Sequence, residues 1–457
     1  MPRVVPGNQR AVMEQRVARA EAPEQAQDPT AAAAAAIEVP PELVAQSLGE
    51  WLRAWLTRIR SGDSGVLPVI LALLIITIVF QAISPNHVFL SAGNLVNLFQ
   101  QSAVFMVLAM GEIFVILLGE IDLSIAYAGG VGAAVTVQLV QPATTKWSWW
   151  AAIIAGLLVC ILIGALQGSL ITRLRLSSLI VTLAGLLIWQ GTMLIILGLA
   201  FSGYPSLAGL DANRQVLYNL MNGTIDPIIS WIGTGVIVIA MAALLWFGDS
   251  RRRRSGLVAP PVSLTIIKIA LIALISTAVV AICNVNRAAF GTLAGVPWVI
   301  PIVLAVFLAW MTLLQRTKFG RYVYAIGGNP EAARRAGINL AGVRTLCFII
   351  CSFTAGIGLL LYASYLGGMS GNINGGQLVL YAIASVVLAG TSLFGGRGKV
   401  IHGILGGLVI GGIYNGMGLL GLDVRWQFIV TGLVLLVAIT IDSLSRRSAT
   451  PGSVARV

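Results

Sequence analysis

The chain has 457 residues, 57% hydrophobic and only 10% charged, where a soluble domain carries roughly 25% charged residues. Its mean hydropathy of +0.91 and recurrent runs of about 18 or more apolar residues make each run a candidate transmembrane helix; the alternating segments of about ten residues that a transmembrane β-barrel needs are missing. The net charge of +12 would suggest nucleic acid in a soluble protein, but basic residues retained on the cytoplasmic side of a membrane protein give the same total, so no nucleic-acid partner is expected.

The fold class expected is therefore all-α, a polytopic integral membrane protein. Residues 1–62 come first. Up to about residue 40 they are polar, rich in Pro, Gln and Glu, with the alanine run Ala31 to Ala36, and read as a disordered cytosolic tail. From 43 to 59, Val44, Leu48, Trp51, Leu52, Trp55, Leu56 and Ile59 recur at helical spacing among Arg53, Arg58 and Arg60. That pattern suits either an interfacial amphipathic helix or a simple stub leading into the first span.

A transmembrane domain is expected over 63–445, with a cytoplasmic loop at 316–344, followed by a cytosolic tail at 446–457. Twelve spans are predicted, near 66–83, 95–118, 121–140, 148–172, 178–200, 228–248, 263–283, 297–315, 345–366, 378–394, 400–420 and 425–443. The third is short and Gly-rich, so a broken or re-entrant helix is one reading. With the N-terminus inside, the inner connections and C-terminal end hold sixteen basic residues. They are Arg173, Arg175, Arg251 to Arg254, Arg316, Lys318, Arg321, Arg334, Arg335, Arg344, Arg397, Lys399, Arg446 and Arg447. The outer connections hold four, Lys146, Arg214, Arg287 and Arg425. The positive-inside rule then places both termini in the cytosol. The four cysteines, Cys160, Cys283, Cys347 and Cys351, lie in or beside apolar segments without partner histidines, and read as buried apolar side chains. No metal site, cofactor or catalytic residue is expected.

One inner connection differs from its surroundings. In "GGNPEAARRAGIN", 327–339, Asn329 is a favoured N-cap and Pro330 suits the first helical position. Glu331 complements the positive helix end and Arg334 and Arg335 the negative end. Ala332 and Ala333 propagate the helix, and Gly337 ends it. The pattern predicts one or two turns of helix. A helix that short is marginal alone in water, so the rest of the protein must hold it. Its small side chains suit insertion into a groove on another protein.

The stretch "TKFGRYVYAIGGNPEAARRAGIN", 317–339, resembles the large cytoplasmic loop of permease subunits of bacterial ABC sugar importers of the ribose and xylose type. "LGEIDLSIAYAGG", 118–130, and "YAIASVVLAGTSLFGGRGKVIHGILGG", 381–407, resemble two further signatures of the same permeases. The resemblance covers most of 66–443. It implies that the short helix is the coupling helix seated in a separate ABC ATPase subunit. It further implies an extracytoplasmic sugar-binding protein as partner, a homodimeric pore in the bacterial cytoplasmic (inner) membrane, and a monosaccharide as solute. Glu120 stands where many members have glycine, Ala389 replaces the first glycine of the usual Gly-Gly-Thr, and Val379 stands where a glutamate is common. Spans six and seven look like an added pair. The acid at Glu120 and the added pair lean toward the xylose branch.

Glu112, Glu120 and Asp122 lie near the inner connection between spans two and three, where ionisable groups are costly and become functional candidates. Asp122 with Ser124 reads either as a cap on span three or as part of a gate. Gly395, Gly396, Arg397 and Lys399 form a basic inner connection, and a charge pair between Asp122 and Arg397 is a further expectation. "GRGKV" lacks phosphate-loop spacing, so any ATP-derived energy comes from a partner.

Two other classes compete. An ion-coupled secondary transporter needs a midplane site for a proton or sodium, for which Glu112 is a candidate. An intramembrane serine protease is suggested by "GMSG", 368–371, with His402. The predicted topology separates Ser370 from His402 by about 30 Å of bilayer, whereas proton transfer needs about 3 Å. A nucleoside is an alternative solute to a sugar.

Overall fold

The computed structural model describes residues 47–60, 65–142, 145–198, 205–209, 211–256, 259–288, 291–423 and 425–433, together with 436 and 440. The expected tail over 1–40 and the basic residues Arg446 and Arg447 lie outside the described residues. Helices dominate: α1 (Leu48–Arg60), α2 (Leu67–Ile83), α3 (Ala92–Ile116), α4 (Ile125–Leu139), α5 (Trp149–Arg173), α6 (Ser178–Gly198), α7 (Ala212–Asn222), α8 (Pro227–Arg254) and α9 (Val262–Asn284). They continue with α10 (Val299–Arg316), α11 (Lys318–Gly328), α12 (Pro330–Arg335), α13 (Leu340–Leu366), α14 (Gly375–Leu388) and α15 (Val400–Leu419). The first eleven predicted spans each coincide with a helix, and the twelfth is helical over 425–433. Among the described residues, eight helices are long and apolar enough to cross a bilayer, and α2, α4 and α14 are shorter apolar ones.

Local chemistry sets the ends. The Asp226 carboxylate accepts from Ile228 N–H with Pro227 at the first position, and four arginines close the same helix. Asn339 caps α13, and Gly367 ends it at φ 71°. The third predicted span is not broken. It is continuous helix from Ile125 to Leu139, about 22 Å long at 1.5 Å per residue, and its small residues are buried by α5, α6 and α13. A Cβ on Gly156 would lie 2.4 Å from the Gly132 carbonyl oxygen, so only glycine lets α4 and α5 touch backbone to backbone.

The core is built from α3, α4, α5, α13, α14 and α15. In α3, 83% of the most apolar window is buried, and in α13 and α15 72%. The α8–α9 hairpin is different: 6% and 11% of its windows are buried, and its helices pack mainly on each other. Its aliphatic surface suits lipid.

Two helices were absent from the sequence reading. Asp211 caps α7, which is pinned by Ser364: its Oγ accepts from Met221 N–H at 2.9 Å and donates to the Tyr218 carbonyl at 2.8 Å. Thr317 caps α11, which buries Val323 and Ile326. A two-residue antiparallel pair, β1 (Thr224–Ile225) with β2 (Val296–Pro297), bridges the connections flanking the α8–α9 hairpin.

Candidate functional site at the signature loops

The short polar helix forms as its caps dictate. The Asn329 Oδ1 accepts from Glu331 N–H at 3.1 Å and from Ala332 N–H at 3.0 Å. Glu331 pairs with Arg334 at 3.3 Å and Arg335 at 3.6 Å, all three side chains being more than half exposed. At the other end Gly337 N–H donates to Arg334 and Ile338 N–H to Ala333, with Gly337 at φ 79°. That is the double-bonded glycine stop that satisfies a helix's last carbonyls. Ala333 alone of the helix is buried. The opposite surface, including Ala332, is open.

What holds this marginal helix is the preceding α11. Its Tyr324 hydroxyl donates to the Gly398 carbonyl at 2.7 Å, and its last turn is clasped by the two signature loops. Gly396 N–H donates to the Leu117 carbonyl at 2.9 Å. A Cβ on Gly327 would lie 1.9 Å from the Leu117 oxygen and 2.5 Å from Gly396 N. Gly395 and Gly396 sit at φ 84° and 72°, a region open to glycine at no steric cost. Three segments far apart in the chain, 117–124, 318–328 and 390–399, therefore meet backbone to backbone at one end of the bundle.

The acids divide. Glu112 is fully buried in α3; its Oε1 accepts from Asp122 N–H at 3.0 Å and its Oε2 lies 3.5 Å from Cys351 Sγ. Asp122, also fully buried, accepts from Ser124 N–H at 2.8 Å and from the Ser124 hydroxyl at 2.6 Å. Ser124 in turn accepts from Gln167 Nε2 at 2.7 Å. Ser124 makes no side-chain bond to its own helix; Asp122 serves the turn that starts it. Glu120 points away and pairs with Arg344 at 3.2 Å. Burial pushes the Glu120 carboxyl above the usual carboxylate range, and Arg344 draws it back.

The expected Asp122–Arg397 pair does not form. Asp122 is turned inward onto Ser124, and the basic loop touches the acidic one through backbone at Gly396 and Leu117, so neither Arg397 nor Lys399 has an ion pair among the described residues. The cationic partner is Arg344, at the start of α13, a residue counted in the sequence only as an inner charge. Around that pair opens a cavity of about 840 Å³, whose lining includes Glu120, Arg175, Arg334 and Arg344. His402 is engaged through Nδ1 with the Thr391 hydroxyl at 2.8 Å.

The other end of the bundle carries residues that sequence reasoning missed altogether. Asn94 Nδ2 donates to Asn415 Oδ1 at 2.9 Å, Asn415 Nδ2 donates to Gln101 Oε1 at 3.2 Å, and Gln101 Nε2 donates to the Tyr365 hydroxyl at 3.1 Å. Gln377 bonds Tyr381. Phe105 meets Tyr381 edge-on at 5.2 Å and Tyr414 at 6.0 Å. The available signal was weak: amides and phenols at the ends of four apolar runs.

Residues 94–439 match the family described as the branched-chain amino acid transport system / permease component. The chain belongs to that family. It is 34% identical over 384 residues to the xylose transport system permease protein XylH of Escherichia coli (strain K12), covering 83% of this chain and 92% of that one. It is 31% identical over 402 residues to XylH of Haemophilus influenzae, covering 85% and 99%. The ribose import permease RbsC of Escherichia coli (strain K12) is 27% identical over 391 residues, covering 86% and 95%. No solved structure matches the chain. The protein is thus a permease-type transport subunit, multi-pass in the bacterial inner membrane, and not an enzyme. Its resemblance to ABC sugar permeases, most of all to the xylose type, stands.

Proposed function

We propose that this chain is the pathway subunit of an ABC importer for a monosaccharide, xylose or a related pentose. In this reading two copies form the pore, a separate ATPase drives it, and an extracytoplasmic binding protein delivers the sugar. The observation that carries the reading is the mounting of α12. It presents an open, capped surface to solvent while its root is clasped to both signature loops through Gly327, Leu117 and Gly396.

Mechanically, α12 and α11 act as a lever. Force applied to α12 by a nucleotide-driven partner passes through α11. Backbone contacts at Gly327 carry it into 117–124 and 390–399, and so into α4 and α15. Backbone-to-backbone contact transmits displacement with little slack, because close-packed atoms at such distances cannot yield without moving their neighbours. The Glu112–Asp122–Ser124–Gln167 chain ties the same displacement to α3 and α5. Energy enters only from the partner, so the chain alone accumulates nothing.

The test is the whole importer in proteoliposomes, with Ala332→Glu and Arg335→Glu in the permease. Both positions are exposed, so insertion and folding persist. The expected outcome is ATP hydrolysis that continues while labelled D-xylose or D-ribose uptake collapses. Undiminished uptake with both variants, or uphill uptake by the chain without its ATPase, overturns the reading.

A further inference from the structure

The polar groups at the end of the bundle remote from α12 have no role in the lever. They come from four helices: Gln101 from the first half of α3, Tyr365 from the end of α13, Tyr381 from the first half of α14, and Tyr414 and Asn415 from the end of α15. Each lies in the half of its helix away from the clasp, and together they form one cluster. The phenols of Tyr362, Tyr365 and Tyr414 neighbour one another. Tyr381 and Asn415 are buried and back the cluster, while Gln101, Tyr362 and Tyr365 are half-buried and Tyr414 is 36% exposed, so the accessible face is theirs.

Lipid is a poor neighbour for such a face. An unpaired amide or hydroxyl in hydrocarbon costs several kcal/mol, and polar residues inside spans face a cavity or another polypeptide. The contrast with lipid-suited surface in the same chain is direct: the exposed side chains of α8 and α9 include Ile232, Val236, Ile239, Ile267, Leu271 and Leu274. The Tyr414 hydroxyl has no hydrogen-bond partner among the described residues, although it is in a membrane helix.

The chemistry is specific. Amide and phenol groups both donate and accept, as needed to exchange hydrogen bonds with hydroxyl groups that do the same. Aromatic rings offer faces to C–H surfaces beside them. Gln101, Tyr365, Tyr381, Tyr414 and Asn415 include no acidic or basic residue of the Asp, Glu, Lys or Arg type, so an ionised solute such as an amino-acid zwitterion would find no counter-charge among them. We infer that this tyrosine–amide face is the solute-contacting entrance of the permeation path, built for a neutral, hydroxyl-rich molecule. The inference rests on the sugar-importer reading for the identity of the solute, and on the polar chemistry of the exposed side chains for the aqueous nature of the face.

Two arms test it. The native cysteines are all buried, so the chain can accept single reporters at Tyr414→Cys, and at Ile239→Cys as a lipid-facing control. In cells carrying the whole importer, a charged, membrane-impermeant methanethiosulfonate added outside is expected to label Tyr414→Cys at least about tenfold faster than Ile239→Cys, since thiolate forms in water and not in lipid. Equal, slow labelling means that lipid or a second copy covers the face, and the inference falls. In the second arm, uptake of labelled D-xylose, D-ribose and D-allose is compared in Tyr414→Phe and Gln101→Met. Losing one hydrogen bond to a neutral solute is expected to raise KM about three- to tenfold and to change the rank order of the sugars. A uniform loss across all three, which a merely structural role produces, overturns solute contact. If the unaltered importer takes up none of the three, the sugar assignment itself is defeated, and the labelling arm still decides whether the face is aqueous.

Discussion

The two ends of the bundle are built from different chemistry. At the α12 end, contacts are charged or backbone to backbone, and glycine brings main chains together: Gly327 against Leu117, Gly396 bonded to Leu117. At the far end the contacts are neutral side chains that bond one another across three helices, α3, α15 and α13, from Asn94 to Asn415 to Gln101 to Tyr365. The difference teaches where rigidity and exchange belong. A lever needs contacts with no slack. A path for a polar solute needs partners that can swap one hydrogen bond for another as the solute passes.

The largest effect is expected from breaking the clasp. Gly327→Leu places carbon where the Leu117 oxygen sits and should cost about 3 kcal/mol of stability, read as a lowered midpoint of thermal unfolding in detergent, with uptake abolished. Gly328→Ala, next in sequence with nothing within 4 Å of its Cβ, should change neither. Similar behaviour of the two would mean that the clasp transmits nothing.

Asn329→Ala removes the acceptor for two amides and should destabilise α12 by about 1 kcal/mol, lowering the ratio of sugar moved to ATP hydrolysed; a ratio equal to that of the unaltered protein denies the helix its role. A double-mutant cycle on Glu120→Gln and Arg344→Gln should give a coupling of about 1 kcal/mol, discounted for the partial exposure of Arg344. Exchanging the charges of Asp122 and Arg397 should rescue nothing, because Asp122 is turned onto Ser124. Recovery of transport in that exchange would instead restore the pairing expected from sequence. The smallest effect belongs to the periphery. Ile239→Ala, on a side chain 70% exposed on α8, should shift stability by less than about 0.5 kcal/mol, and a larger loss would mean that the hairpin is buried against another subunit.

Much of the fold was legible in the chain because its signals are local. Hydropathy runs predicted spans that coincide with helices, and the sequence Asn329-Pro330-Glu331 through Gly337 dictated the start and stop of α12. The docking of that helix remains our proposal. Helices α7 and α11 escaped because each is amphipathic and only eleven residues long, between stronger apolar runs, and their apolar faces acquire meaning only where the bundle receives them.

Composition and spacing by themselves determined a helical membrane protein, the positions of its apolar helices and the start and stop of the capped helix α12, since transfer from water and end-capping act within a few residues. Tertiary structure alone decided that Glu120 meets Arg344 rather than leaving Asp122 to meet Arg397, and that Gln101, Tyr365 and Tyr414 gather in one cluster backed by the buried Tyr381. Such pairings depend on how far each helix is rotated and how closely its glycines let it approach its neighbours, which no single stretch of the chain specifies.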